Sequence, residues 1–336
     1  MIAAAGAAPD PPARSAQPEL TPEEQYRALR GAVGAVPVGR DVLGLTGPDT
    51  LDYLQGQLSQ DVAALAVGVP ADALLLSPQG KLDALVRVTR LGDEAVAVDV
   101  DEGFGTAVLE RLERFRLRVK VVIEPLPWRC VALRGPGAAA SAGGGTGTPP
   151  SPGAGEEGRP WVLPFSWNGV QGVDLLGAAP VVPPGVPWCS PGAWQSVRVE
   201  AGIPVMGAEL DDRTIAAEAE LLDRAVSFTK GCYTGQELVA RLDARGNRVA
   251  RHLRGLVADE PPPAPGPDGL APGSEITVQG KAVGTVTSAA WSPALGRPVA
   301  LAYVHRSVEP PAAVEVRGPG GALRAVVRAL PLVDGD

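Results

Sequence analysis

The segment Ser227–Arg241 concentrates polar and nucleophilic side chains around one cysteine, Cys232. Thr234 and Glu237 have the spacing of a capping box, in which each side chain binds a free backbone N–H at the start of a helix. The spacing therefore predicts a helix that begins two residues after Cys232. The positive end of a helix and the amine of Lys230 would both favour a thiolate over a thiol. The segment is a candidate site of thiol chemistry.

Cys232 also has a structural interpretation, because a lone cysteine often serves as a small buried apolar residue. Its polar neighbourhood favours a functional thiol instead. The candidate binding residues beside it are Lys230, Tyr233, Gly235, Gln236, Glu237 and Arg241. The flanking glycines, Gly231 and Gly235, would let the backbone approach a ligand closely. Cys130, in an apolar strand, and Cys189, in a proline-rich loop, are predicted to be structural.

A second polar segment lies at Tyr53–Asp61 and is predicted to be helical where it buries its leucines. Gln57 and Asp61 fall outside that apolar face, so they are candidate ligand-binding residues. Gly56 within a helix costs about 0.5–1 kcal/mol relative to alanine. That cost is easier to explain if backbone or a ligand packs against the glycine.

Three acidic residues elsewhere are candidates for ligand contacts. Asp83 follows the turn Ser77–Gly80 and Lys81, an arrangement that any hairpin could show. Glu209 and Glu218 lie among turns in the second half of the chain. A buried carboxylate can accept two N–H donors of a ring such as a pterin, although surface acids are commoner.

Composition argues against several classes of protein. The chain has 336 residues, a formal net charge of −8 and a pI of about 5.0, unlike proteins that coat nucleic-acid phosphates. Three cysteines and two histidines lack the close spacing of a metal or iron–sulfur site. The N-terminal segment does not have the pattern of a signal peptide, and no uncharged apolar run reaches about 18 residues. We expect a cytoplasmic protein that contacts neither nucleic acid nor membrane.

Local signals divide the chain into three parts. Residues 1–20 are predicted to be a disordered tail, and a helix begins after the capping residue Thr21. Residues 21–248 carry strands and helices, with a glycine- and proline-rich stretch at 135–160 that we expect to be a disordered insertion. Residues 249–336 alternate short apolar runs with turns, which predicts a small antiparallel barrel.

The folded elements follow from the spacing of apolar residues. A helix is predicted over 105–116, with Val108, Leu112 and Phe115 facing the core. A three-stranded meander is predicted just before it. Its strands are Ala73–Ser77, Leu82–Arg90 and Ala95–Val100.

The octapeptide Lys230–Glu237, K-G-C-Y-T-G-Q-E, resembles the hallmark K-G-C-Y-x-G-Q-E of the YgfZ family, folate-binding relatives of the glycine-cleavage T-protein. The resemblance extends over most of residues 37–332. Further matches in chain order are L-Q-G-Q-x-S-x-D at 54–61, L-x-P-Q-G-K at 76–81, E-A-G-I-P at 200–204 and G-x-V-T-S at 284–288.

The resemblance implies an α+β fold, with a T-protein-like folate-binding region and a C-terminal antiparallel β-barrel. The folate-binding region would have two α/β lobes with antiparallel sheets and a central funnel for tetrahydrofolate. The implied role is assembly or repair of iron–sulfur enzymes, including radical enzymes that thiomethylate tRNA. Those client enzymes or assembly factors would be its partners. Cys232 would be the functional thiol at the funnel, and Glu209 and Glu218 would be folate-pocket acids.

One departure separates the chain from aminomethyltransferases. After the glycine turn those enzymes carry paired aspartates, one of them needed for methylene transfer, whereas here Asp83 is followed by Ala84. Alanine cannot stabilise developing charge as a carboxylate does. Three hypotheses follow: a tetrahydrofolate-binding factor for iron–sulfur enzymes, a folate-dependent one-carbon transferase, and a scaffold that has lost folate binding.

Overall fold

The computed structural model describes residues 20–143, 160–260, 266, 269–319 and 321–334. The predicted tail up to residue 19 and residues 144–159 of the predicted insertion lie outside the described residues. In the described part of the chain, no helix has the length and apolar character that a membrane span requires.

Helices and strands alternate through the first two-thirds of the chain, and strands dominate the last third. The described α-helices are α1 (Pro22–Gly31), α2 (Thr50–Gln57), α3 (Gly105–Phe115), α4 (Ala138–Ser141), α5 (Pro191–Ala201), α6 (Leu222–Ala225) and α7 (Gln236–Asp243), and a 3₁₀ helix spans Ala216–Ala219. The strands before the barrel are β1 (Gly34–Val38), β2 (Arg40–Thr46), β3 (Pro70–Leu76), β4 (Leu82–Arg90), β5 (Ala95–Asp101), β6 (Val122–Leu126), β7 (Arg129–Arg134), β8 (Trp161–Trp167) and β9 (Val170–Gly177). The barrel strands are β10 (Arg251–Ala258), β11 (Glu275–Val278), β12 (Lys281–Ser292), β13 (Arg297–His305), β14 (Ala312–Gly318) and β15 (Gly321–Arg328).

The first sheet has five antiparallel strands in the order β3-β4-β5-β2-β6. Alternate residues of β4 are buried in the main hydrophobic core, as the period of two along a strand requires. The predicted meander of β3, β4 and β5 is confirmed. Helix α3 buries Val108 and Leu112 as predicted, but Phe115 is 36% exposed and lies 3.9 Å beneath the guanidinium of Arg111.

The second sheet has the antiparallel order β1-β7-β9-β8. Residues 135–143, the described start of the predicted disordered insertion, fold against it, so that prediction is wrong for this part. Gly135 N donates to Gln171 O and Gly137 N to Ala32 O, both at 2.9 Å, and Ala138 is fully buried. The small side chains predicted to favour disorder allow this close packing instead.

Helix α5 connects the two sheets to the barrel. It packs against α1 and β12, and its Glu200 is fully buried. Tyr26 and Ser292 donate hydroxyl hydrogen bonds to the Glu200 carboxylate at 2.7 and 2.5 Å. Burial raises the pKa of Glu200, and the two hydroxyls oppose that shift. The acid therefore links α1, α5 and the barrel.

The six C-terminal strands close into an antiparallel barrel, because β10 pairs with both β13 and β15. Its interior contains apolar side chains from every strand, among them Leu256, Ile276 and Val304. The predicted fold class is confirmed: two antiparallel sheets with packed helices, followed by a C-terminal barrel.

Candidate functional site

Lys230 holds the Cys232 loop against the end of α2. Its ammonium Nζ donates to the backbone carbonyls of Gln55, Leu58 and Gln60 at 2.7, 2.6 and 2.9 Å. Carbonyls at a helix C-terminus lack partners within the helix, so the amine satisfies them. Burial lowers the pKa of Lys230 to about 8. Three carbonyl acceptors match all three ammonium donors, so this cation supports the loop backbone rather than a thiolate.

The start of α7 differs from the prediction. Gly235 is its N-cap residue, with φ of 81°, and no side chain caps the helix. Thr234 N donates to Gly56 O at 3.0 Å, and Gln236 Oε1 accepts from Tyr233 N at 3.1 Å. The predicted Thr234 capping box is therefore wrong, because the threonine is committed to α2, far away in the sequence.

Glycines in and near the loop face protein or open space. A Cβ added to Gly235 would lie 2.5 Å from Ser77 O and 2.7 Å from Leu76 Cβ. Its close approach is therefore to the β3–β4 hairpin. A Cβ on Gly231 or Gly56 would meet no atom of the described residues within 4 Å. The backbone of Thr234 does pack against Gly56 through its hydrogen bond to Gly56 O, but the space that a Cβ would occupy is open.

Asp83 and Gln57 come together on one arginine. Arg111 donates to Asp83 Oδ2 at 3.0 Å, to Gln57 Oε1 at 3.2 Å and to Leu76 O at 3.0 Å. Burial raises the pKa of Asp83, and the adjacent guanidinium opposes that shift. Since Leu76 also touches Gly235, this cluster adjoins the Cys232 loop.

The remaining residues of the segment lie at the surface. Cys232 is a free, exposed cysteine, and Glu237 and Arg241 are exposed on α7. Asp61, in the other polar segment Tyr53–Asp61, accepts a hydrogen bond from Gln55 Nε2 at 2.9 Å. The loop thus presents a thiol to solvent from a well-supported backbone.

A central cavity of about 180 Å³ lies between the two sheets. Its polar walls include Arg87, Arg134 and Asp174, and its aromatic walls include Phe165 and Trp194. The Arg134 guanidinium lies 3.7 Å from the Phe165 ring centroid and 5.2 Å from that of Trp194. The cavity therefore combines charged donors with flat apolar surfaces.

Six charged side chains alternate in sign beside this cavity. In order they are Asp101, Arg40, Asp99, Arg87, Asp174 and Arg134, each paired with the next. Burial opposes ionisation of Asp174, but the guanidinium groups of Arg134 and Arg87 outweigh it and lower the pKa of the carboxyl. Arg87 Nη2 is buried without a hydrogen-bond partner among the described residues.

The predicted position of the Cys232 thiol at a central funnel stays a prediction, and this cavity does not supply that funnel. Cys232 is absent from its lining. Its loop packs at the Leu76 end of β3, whereas the cavity meets the other end of that strand at Asp72. Four residues of strand separate these positions by about 13 Å.

Sequence reasoning missed the central cavity, although a signal for it was present. Arg87 and Asp99 lie within the predicted strands Leu82–Arg90 and Ala95–Val100, and Asp174 lies within the apolar stretch Val173–Leu176, where the sequence also predicts a strand. Charged residues are seldom buried unless they are paired. Opposite charges inside three predicted strands therefore indicate an ion-pair network between them.

Glu209 joins the segment after α5 to the barrel. Its Oε2 accepts from Arg198 at 3.0 Å and from Val205 N at 3.1 Å, and its Oε1 accepts from the hydroxyls of Thr287 and Ser288 at 2.8 and 2.5 Å. The side chain is fully buried. Four protein donors occupy this carboxylate, which was expected to bind folate.

Glu218 lies beside a second cavity, here called the barrel groove. The groove, of about 700 Å³, separates residues 208–214 from the outer face of β10, β12 and β13. Arg251, which lines it, donates through Nε to Glu218 Oε2 at 3.0 Å. Glu209 lines the groove as well, so the two predicted folate-pocket acids lie near it rather than in the central cavity.

Comparison with known proteins places these features in context. Residues 251–334 match the glycine cleavage T-protein C-terminal barrel domain. An aminomethyltransferase of Thermus thermophilus is 29% identical over 334 residues, which cover 92% of this chain and 90% of that protein. The tRNA-modifying protein YgfZ of Yersinia pestis is 30% identical over 220 residues, which cover 60% of this chain and 64% of that protein.

The fold has a solved counterpart. The crystal structure of aminomethyltransferase T of the glycine cleavage system of Bartonella henselae superposes with a TM-score of 0.75 at 22% identity, covering 93% of this chain and 90% of that one. The expected T-protein-like fold is thus confirmed. The chain has the fold of the glycine cleavage T-protein, and its C-terminal barrel is of the T-protein type.

Proposed function

We propose that the protein binds a reduced folate through the central cavity and supports the assembly or repair of iron–sulfur enzymes. A cavity with charged and aromatic walls inside a T-protein fold is the observation that carries the folate assignment. A pterin ring would offer acceptors to Arg87, donors to Asp174 and a flat face to Trp194.

The size of the cavity agrees with a ring-sized head group. Its volume of about 180 Å³ equals about six water molecules, enough for a bicyclic ring but not for a whole folate. The aminobenzoyl-glutamate part would therefore extend outside the cavity. Tetrahydrofolate, when bound, would supply a one-carbon carrier, and the cavity residues would bind and orient its ring.

Similarity to the Yersinia pestis tRNA-modifying protein supports the iron–sulfur role, together with the K-G-C-Y-T-G-Q-E octapeptide. Cys232 is exposed on a loop that Lys230 and Gly235 hold in place. A thiol in that position can meet a large partner without entering a cavity. The partners would be iron–sulfur client enzymes or their assembly factors.

Calorimetric titration with 5-formyltetrahydrofolate tests the folate assignment. The wild-type protein should bind one equivalent, and Arg87→Lys should bind at least tenfold more weakly because the guanidinium fork is lost. Cys232→Ser is the matched control and should bind as the wild type does. Absence of wild-type binding would refute the assignment.

Complementation of a deletion strain tests the thiol. Cys232→Ala should fail to restore aconitase activity and tRNA thiomethylation, whereas the wild-type chain should restore both. Full rescue by the alanine variant would remove Cys232 from the proposal.

The second candidate function is aminomethyl transfer to tetrahydrofolate. The similarity to the Thermus thermophilus aminomethyltransferase over nine-tenths of both chains favours it. Against it, Asp83 is paired with Arg111 and does not line the central cavity. Formation of methylene-tetrahydrofolate by the purified protein, above the protein-free background, would establish this alternative.

A further inference from the structure

The barrel groove is a second candidate binding site, separate from the central cavity. Its volume of about 700 Å³ lies within the range of about 300–1,000 Å³ that is typical of small-molecule sites. Arg198 lines the central cavity and Glu209 lines the groove, and their ion pair lies between the two. A ligand in the groove would therefore occupy a site distinct from that of the proposed folate.

Arg251 presents a fixed guanidinium to the groove. Its Nε donates to Glu218 at 3.0 Å, and the guanidinium carbon lies 4.2 Å from the ring centroid of Tyr303. Tyr303 is itself held, because its hydroxyl donates to Glu209 O at 2.9 Å. Neither Nη atom of Arg251 has a hydrogen-bond partner among the residues that the structure describes. Such a fork matches the paired oxygens of a carboxylate or phosphate.

A second positive group faces the same space. Lys281 is exposed at the groove and forms no ion pair within the described part of the chain. The imidazole of His305 and the hydroxyl of Thr285 add further polar contacts.

The acids of the groove wall are already neutralised. Glu209 pairs with Arg198, and Asp211 pairs with Arg213 at 2.7 Å. Arg251 is likewise paired, with Glu218 at 3.0 Å, so Lys281 supplies the positive charge that is unpaired among the described residues, although the chain as a whole carries −8.

We propose that the barrel groove binds a small, multiply charged anion bearing two or more carboxylate or phosphate groups. One group binds the Arg251 fork, and another binds the Lys281 amine. An anion with a single charge engages only one of these positions, so the groove discriminates against it.

Isothermal titration at constant ionic strength tests this inference with citrate, pyrophosphate and acetate. Citrate or pyrophosphate should bind at one per chain, at least tenfold more tightly than acetate, and the stronger of the two identifies carboxylate or phosphate as the preferred group. Binding of neither polyanion, or equal binding of acetate, would overturn the proposal.

Matched variants locate the site. Lys281→Gln should weaken polyanion binding about tenfold, and Arg251→Lys, which keeps the charge but loses the fork, should also weaken it. Arg317→Gln removes an exposed arginine of β14 outside the groove and should have no effect. Equal binding by Lys281→Gln and Arg317→Gln would contradict the assignment. Lys281 is exposed, so its substitution tests the site even if Arg251→Lys fails to fold.

Discussion

Replacement of Glu209 by glutamine tests whether this acid is a structural junction rather than a folate-binding group. Glutamine keeps the size of the side chain, and its oxygen can still accept from Thr287 and Ser288. Its amide nitrogen, however, would face the Arg198 guanidinium and the Val205 N–H, both of which are donors. The substitution therefore removes two hydrogen bonds and leaves a buried cation without its counter-charge.

The expected magnitude follows from these losses. Hydrogen bonds to charged groups contribute about 1.5–3 kcal/mol each, so two of them amount to about 3–6 kcal/mol. Removal of one partner from a buried ion pair costs about 3–5 kcal/mol. These values describe the same contacts and are not added. We expect Glu209→Gln to lower the free energy of unfolding by about 3–5 kcal/mol.

Urea denaturation of the folate-free protein, followed by tryptophan fluorescence, measures the effect. Glu315→Gln is the matched control, since this exposed acid pairs with Arg317 at the surface and should contribute less than about 1 kcal/mol. The double variant Arg198→Met/Glu209→Gln should recover part of the loss, because the stranded cation is removed as well. A loss below about 1 kcal/mol for Glu209→Gln would refute the structural interpretation.

Three other properties of the loop and the cysteines can be measured directly. In the folded protein at pH 8, maleimide should label Cys232 alone, because burial raises the pKa of the Cys130 thiol to about 12 and that of the Cys189 thiol to about 11. Mass spectrometry of tryptic peptides identifies the labelled cysteines. Labelling of Cys130 or Cys189 would contradict the fold. Gly235→Ala should destabilise the protein by at least about 1–2 kcal/mol, because Gly235 has a left-handed conformation and contacts the β3–β4 hairpin. The control Gly231→Ala should change the free energy of unfolding by less than about 0.5 kcal/mol. Equal effects of the two substitutions in chemical denaturation would count against the packing described. The pKa of Lys230 is about 8 in the folded chain and near 10.5 when unfolded, so the unfolded state binds more protons between these values and stability should rise with pH across that window. In thermal unfolding, the stability of the wild type relative to that of Lys230→Met should rise with pH across this window. A decrease of that relative stability with pH would contradict the prediction.

Local patterns were sufficient for much of the fold. The predicted strand Leu82–Arg90 coincides with β4, and the helix predicted over 105–116 differs from α3 by one residue. Alternating apolar residues indicate which positions are buried, so the strands of the meander could be located without knowledge of their partners. The predicted N-cap at Thr21 is also confirmed, and the structure adds a capping box with Glu24, whose hydrogen bonds join residues three apart.

Contacts between distant residues could not be predicted in this way. Lys230 binds carbonyls that lie 170 or more residues before it. Thr234 fits a local capping pattern, yet Gly56 takes its hydrogen bonds. In both cases tertiary contacts override a short-range preference, so the sequence alone misassigned what these residues touch.

The distance along β3 between the Cys232 loop and the central cavity has an experimental consequence. Ligand binding in the central cavity and the reactivity of the Cys232 thiol depend on different parts of the molecule. A substitution can therefore abolish one of them and leave the other unchanged. Single substitutions of Arg87 at the cavity and of Cys232 in the loop would therefore separate the effects of ligand binding from those of the thiol in any cellular phenotype.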